Sequence, residues 1–270
     1  SPFNNLLKPK EGGLAAAIST MPRLDKIIDF TIIYESKKRS FWNFLRGNMN
    51  NARIFVQSLD IPDKFKNDQL HENDELRKEF KDLIISVDTF RSEIARKSIE
   101  SGADIINDIS AGEIDEEIMH VVSEYNIPYV IMHMKGDPQT MQKNANYDDV
   151  CREIISYLAQ RVKKAREYKI NDLIIDPGFG FGKTLQHNYE ILSNLHHFEM
   201  IDLPLLVGFS RKSMITKALE IEKEFALNGT SILNTIALMK GAKILRVHDV
   251  KEAKECINLY NLTMNNSGNS

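Results

Sequence analysis

From residue 83 onward the chain repeats one pattern: a short apolar run, a polar residue at its end, then a stretch with helical spacing. The runs are LIISVD (83–88), DIIND (104–108), YVIMHM (129–134), LIID (173–176), LPLLVG (203–208) and KILRVHD (243–249). Helices are expected at 91–101, 114–125, 147–168, 187–197, 211–220 and 230–240. Strand and helix in alternation imply a parallel sheet with right-handed crossovers. Two weaker candidate strands, IDFTIIY (28–34) and RIFVQ (53–57), precede these six and make eight units. The expected fold is therefore α/β, a (β/α)8 TIM barrel with strands 1 and 2 divergent. An open doubly wound sheet is the alternative.

A length of 270 residues suits one barrel, read as a single domain over 28–270 after an irregular lead-in or linker at 1–27. Lys and Arg number 35 against 38 Asp and Glu, a formal net charge of -3 that argues against nucleic acid or an anionic membrane as partner. Residues 37–52, KKRSFWNFLRGNMNNA, interleave basic and aromatic side chains, a pattern that can bind single-stranded nucleic acid. With so acidic a balance, an amphipathic helix packing its apolar face is the better reading. Residues 63–82 are read as a loop and a solvated helix, and Lys37, Lys38 and Arg39 as a solvated run. Cys151 and Cys256 lack metal-ligand spacing and suggest a reduced, cytoplasmic setting. No apolar run is long enough for a membrane span, and LAAAIST is too short for a secretory signal.

The polar strand ends carry the functional signal. In order they are Asp88, Asn107 with Asp108, His133, Asp176, Ser210 with Arg211 and Lys212, and Arg246 with His248. In a barrel such ends face one pocket. Each alone has a bland reading: Asp88 before Thr89 fits a helix N-cap, His133 a hydrogen-bonded core histidine, and Arg246 a structural partner for Asp249. The richest stretch is 173–184, LIIDPGFGFGKT. A P-loop would need glycine where Pro177 stands, and a dinucleotide fingerprint would need one where Lys183 stands. The segment reads as a carboxylate-bearing βα loop instead of a nucleotide cradle.

Asp88, Asn107 and Asp176 offer acceptors, and Asn107 donors as well, a set that suits a heterocycle edge rich in N–H groups and ring nitrogens. Arg211, Lys212, Arg246 and His248 suit an anionic group, to which the first turn after Ser210 adds free N–H groups. Phe179 and Phe181 either flank an aromatic co-substrate or pack the loop. No Ser/His/Asp or Cys/His nucleophile set is apparent.

The segments SVDTFRSEIARKSIESGADIINDISAG, VIMHMKGDPQTMQ, IIDPGFGFGK, LLVGFSRKSMI and LRVHDV resemble the dihydropteroate synthase family, in its order and with about its spacing. The resemblance covers residues 83–250. It implies a (β/α)8 barrel, a homodimer and a target of sulfonamides. The implied reaction condenses 6-hydroxymethyl-7,8-dihydropterin diphosphate with p-aminobenzoate, giving 7,8-dihydropteroate and diphosphate in folate biosynthesis. Carried over, Asp88, Asn107, Asp176 and Lys212 match pterin-binding positions, with Asp88, Asp176 and Lys212 as the catalytic set. Arg246 and His248 match the diphosphate pair, and Ser213 and Phe181 the p-aminobenzoate site. The family also implies Mg²⁺ on the diphosphate, for which no ligand is identified in this sequence, and a fused pterin pyrophosphokinase as one neighbour.

The first third departs from the family. Its Asn-Val-Thr-Pro-Asp-Ser-Phe-type and Gly-Gly-Glu-Ser-Thr-Arg-Pro-type loops are absent, and IDFTIIYESKKRSF and ARIFVQSLDIPDKF stand in the corresponding places. Three readings follow: an active synthase, a pterin-binding barrel without turnover, and a pterin-dependent methyltransferase. The SRKS and RVHD segments favour the synthase over the last.

Overall fold

The computed structural model describes residues 26–34, 52–60, 84–136 and 145–266. The readings for 1–25, for the basic aromatic helix and Lys37–Arg39, and for the charged segment 63–82 lie outside these residues. Internal contacts divide the chain into two compact units: Ser1–Val130 with Ala165–Asp172, and Ile131–Lys164 with Leu173–Ser270.

In the first unit β1 (Lys26–Tyr34) and β2 (Ala52–Asp60) pair antiparallel, and β1 lies antiparallel to β3 (Ile84–Asp88). The two divergent strands are thus present and longer than expected, but they do not continue the parallel pattern. The parallel order starts at β3 with β4 (Ile105–Asp108), in the register Ser86↔Ile105 and Asp88↔Asn107. Side chains alternate across a strand, so Ser86, Asp88, Ile105 and Asn107 share one face of this pair. β5 (Tyr129–Met132) begins beside β4, where the Ile106 N–H donates to the Pro128 carbonyl at 3.2 Å.

Between these strands run α1 (Ser92–Glu100) and α2 (Glu117–Tyr125). The Asp115 carboxylate caps α1 by accepting from the Ser92 N–H and hydroxyl, each at 2.7 Å. Asp88 therefore does not serve as the cap, and the N-cap residue is Arg91. α2 stops at Asn126, whose φ of 51° turns the chain left-handed.

β5 runs on into the second unit, where the His133 N–H at its end donates to the Asp176 carbonyl at 3.0 Å. There α3 (Val150–Glu167), β6 (Leu173–Asp176), α4 (Leu185–Ser193), β7 (Leu206–Val207), α5 (Ser213–Leu219), α6 (Leu227–Met239), β8 (Ile244–Leu245) and α7 (Val250–Asn266) follow in order. β7 and β8 pair in parallel, and Ile175 of β6 bridges Leu205 in parallel. Thr184 opens α4 with a capping box: its hydroxyl accepts from the His187 N–H while its own N–H donates to His187 Nδ1. α7 was not anticipated from the sequence, although Ala253, Cys256 and Ile257 form a buried stripe at helical spacing. β4, β5 and β6 are buried along their whole length, which is why they read as unbroken apolar runs.

Candidate active site

In the first unit the strand ends separate two roles that look alike in sequence. Asp88 ends β3 exposed, and its Oδ1 accepts from Nδ2 of the buried Asn107 at 2.8 Å. That bond orients the amide and leaves Asn107 Oδ1 buried with no hydrogen-bond partner among the described residues. A buried acceptor of this kind is costly unless a ligand or water donates to it. Asp108, one residue on, is fully consumed by its own loop and by Tyr129 of β5. It accepts from the Ser110 N–H, the Ser110 hydroxyl and the Gly112 N–H, each at 2.7 Å, and from the Tyr129 hydroxyl at 2.5 Å. Of the adjacent pair, only Asn107 has an unused polar atom on the face shared with Asp88.

In the second unit Asp176 ends β6, buried, with one oxygen accepting from the Gly178 N–H at 2.7 Å. Burial pushes its carboxyl above the usual range, against the pull of Lys212, the Gly178 N–H, Arg246 and Lys183. The Lys212 ammonium donates to the Phe179 carbonyl at 2.6 Å and lies 5.2 Å from the centre of the Phe181 ring. Burial, with a smaller push from Arg246, lowers its pKa to about 8 against the pull of Asp176. Phe179 itself is buried against Phe209, so packing is its role, while Phe181 is half-buried beside the lysine. The loop needs its glycines: Gly178 has φ +71°, and a Cβ there would stand 2.0 Å from the His133 carbonyl oxygen.

Ser210 is buried and tied to His248. Its Oγ accepts from the His248 N–H at 3.1 Å and lies 2.8 Å from His248 Nδ1. These two contacts fix the orientation of the His248 ring against the end of β7. Ser213 is exposed at the start of α5, directly after Lys212. Arg211 corrects the sequence reading. Its Nε and Nη2 bind both oxygens of Asp249, at 3.0 and 2.8 Å, so it braces the β7 and β8 loops and is not a free rim cation. Asp249 is accordingly the structural partner of Arg211, where the sequence suggested Arg246.

His133 takes the bland reading offered above. It is buried edge-on to Tyr157, and burial, Lys183 and Lys135 lower its pKa to about 3, so the imidazole is neutral. Its Nδ1 lies 3.0 Å from Lys183 Nζ, a residue that sequence reasoning left without a role. A lysine directly after three alternating glycines was the available signal. Among the described residues no group of three or more His, Cys, Asp or Glu side chains could hold a metal ion. No described helix is long and apolar enough to cross a membrane.

The profile of the family described as "Pterin binding enzyme" matches residues 73–248. Dihydropteroate synthase from Escherichia coli (strain K12) is 43% identical over 182 residues, which is 67% of this chain and 64% of that protein. The chain thus spans somewhat less than two thirds of that relative. The crystal structure of Thermus thermophilus dihydropteroate synthase in complex with 6HMPPP aligns with a TM-score of 0.64 and 34% identity, over 67% of this chain and 72% of that one. The Yersinia pestis dihydropteroate synthase in a sulfonamide drug complex aligns with a TM-score of 0.68 and 34% identity, over 76% of each chain. Likeness at this level gives the chain the (β/α)8 fold class of its neighbours, with β1 and β2 as the divergent strands. The profile match extends over most of the chain and takes in every strand end from Asp88 to His248, so the chain belongs to the pterin-binding enzyme family, to which its dihydropteroate synthase relatives also belong.

Proposed function

We propose that the chain is a dihydropteroate synthase, a transferase that joins 6-hydroxymethyl-7,8-dihydropterin diphosphate to p-aminobenzoate. The observation that carries this reading is the Asn107 amide: one end is held by Asp88, and the other is a buried acceptor with no partner among the described residues. An amino-pterin edge, dense in N–H donors, is the chemistry that satisfies it. Asp88 supplies a second acceptor on the same strand face. In the second unit, Asp176 supplies a carboxylate and Lys212 a half-buried donor for the heterocycle. Arg246 and the His248 ring are assigned to diphosphate, and Ser213 with Phe181 is assigned to p-aminobenzoate.

In the reaction the bond from the pterin methylene to diphosphate oxygen breaks, the arylamine nitrogen bonds to that carbon, and the nitrogen loses a proton. Positive charge that develops on the methylene is stabilised by the carboxylates Asp88 and Asp176, and negative charge on the leaving group by Arg246 and His248. No protein nucleophile is required. Mg²⁺ on the diphosphate would offset part of the leaving group's negative charge, and among the described residues no group of three or more His, Cys, Asp or Glu side chains is placed to hold it.

A second reading, a pterin-binding protein without turnover, is favoured by two observations: the profile match begins at residue 73, and β1 pairs antiparallel to its neighbours. One assay separates the two. Diphosphate release is followed with dihydropterin diphosphate and Mg²⁺, with and without p-aminobenzoate. Release that depends on p-aminobenzoate and disappears in Asp88→Asn and Lys212→Ala supports the synthase. Pterin binding by calorimetry without release supports the second reading, and the absence of both overturns each.

A further inference from the structure

Lys183 ends the loop after β6 with only 4% of its surface exposed, and the proposed chemistry assigns it no substrate. Its ammonium is nevertheless saturated. Nζ donates to the carbonyl oxygens of Gly178 and Phe181, both at 2.9 Å, and lies 3.0 Å from Nδ1 of the neutral His133. Three N–H groups thus meet three acceptors, and the His133 carbonyl is a more distant fourth at 3.4 Å. The acceptors come from two turns of one loop and from the end of β5, so a single cation ties the loop to itself and to the adjacent strand end. Gly182 closes the same seam, since a Cβ there would stand 3.0 Å from the Lys135 carbonyl oxygen.

The loop held in this way carries two groups of the proposed site. Its Phe179 carbonyl receives the Lys212 ammonium, and its Phe181 ring lies beside that ammonium. The Phe181 N–H donates to the Gly178 carbonyl at 3.1 Å, and this is the oxygen that Lys183 also binds. Releasing Lys183 therefore frees the turn that sets both Phe179 and Phe181.

We propose that Lys183 is a positioning residue: it fixes the loop between Gly178 and Gly182, and through that loop aims the Lys212 ammonium and the Phe181 ring at the substrates. The kinetic part rests on the synthase reading, and the structural part does not. A buried lysine is the fitting side chain because three backbone and imidazole acceptors in a dry setting need donors from one compact head group.

The test compares the whole chain with Lys183→Met, which removes every donor, and Lys183→Gln, which keeps some. Amide hydrogen exchange is measured without ligand, and steady-state kinetics with both substrates. In Lys183→Met the Phe181 amide should exchange at least about tenfold faster while the β6 amides keep their protection, and the KM for p-aminobenzoate should rise about tenfold. Lys183→Gln should fall between the two proteins. A lower melting temperature with unchanged KM and a protected Phe181 amide would make Lys183 a structural residue only, and failure of both variants to fold would assign it to the fold in the same way. If the wild-type chain shows no turnover, the synthase reading fails, and the exchange measurement alone decides the role of Lys183.

Discussion

The ends of β4 and β6 each bury an aspartate, yet the two carboxylates do different things. Asp108 accepts four hydrogen bonds from its own loop and from Tyr129. Asp176 accepts from the Gly178 N–H and sits in the field of Lys212, Arg246 and Lys183. A carboxylate saturated by neutral donors is a structural element, because nothing is left with which to meet a ligand. One left among cations, in a setting that raises its pKa, is poised for chemistry. A polar residue at a strand's C-terminal end is therefore not enough to mark a site, and the accounting of its donors decides.

The largest expected effect tests the β6 side. Asp176→Asn should lower turnover by about a thousandfold, roughly 4 kcal/mol of transition-state stabilisation, while the protein stays folded. If its main effect were on unfolding, Asp176 would belong with Asp108 and the contrast would collapse. On the β4 side, Asp108→Asn places an amide donor among the Ser110 and Gly112 N–H groups. It should cost about 3 kcal/mol in urea unfolding and affect pterin affinity less than Asp176→Asn does.

The start of β4 sharpens the comparison through pH. Asp104 accepts from the Ile85 N–H at 2.8 Å, and burial raises its pKa from 3.8 to about 6. The folded state therefore holds its proton more tightly than the unfolded state, so stability from this group falls as pH rises between about 4 and about 6. Asp104→Asn should remove that slope and add about 2 kcal/mol at neutral pH, read from melts in parallel buffers. Lys183 works in the opposite sense. Burial lowers its pKa from 10.5 to about 7, so its contribution rises with pH across that interval, and the rise should shrink in Lys183→Met. The smallest effect is expected for Tyr129→Phe, which removes one of the four donors to Asp108 and should cost about 1 kcal/mol.

Much of the fold was legible in the chain. Each of the six strands from 83 onward and most of the intervening helices fall where apolar runs and helical spacing place them, because strands buried on both faces must be apolar throughout. The ends of the elements were less legible. β7 and β8 are two-residue strands within longer apolar runs, since pairing stops where the chain turns into its loops. α7 escaped notice because its exposed face mixes apolar Leu259, Leu262 and Met264 with polar residues, which blurs the helical stripe. β1 and β2 were visible as β-forming segments, but strand direction is a property of pairing, which local sequence does not carry.

The candidate site divides along the same line. Residue identity, order and spacing determined that the chain belongs with pterin-binding enzymes, because a combination of five segments is chemically too specific to arise from strand ends alone. Only tertiary structure decided which charged groups remain available for chemistry. Asp108 is bound by its loop, Arg211 is paired with Asp249, and His133 and Lys183 hold each other in the interior, whereas Asn107 retains an oxygen unsatisfied among the described residues. The reason is physical: a side chain's chemistry is what remains after its neighbours have taken their hydrogen bonds, and those neighbours are assembled by folding.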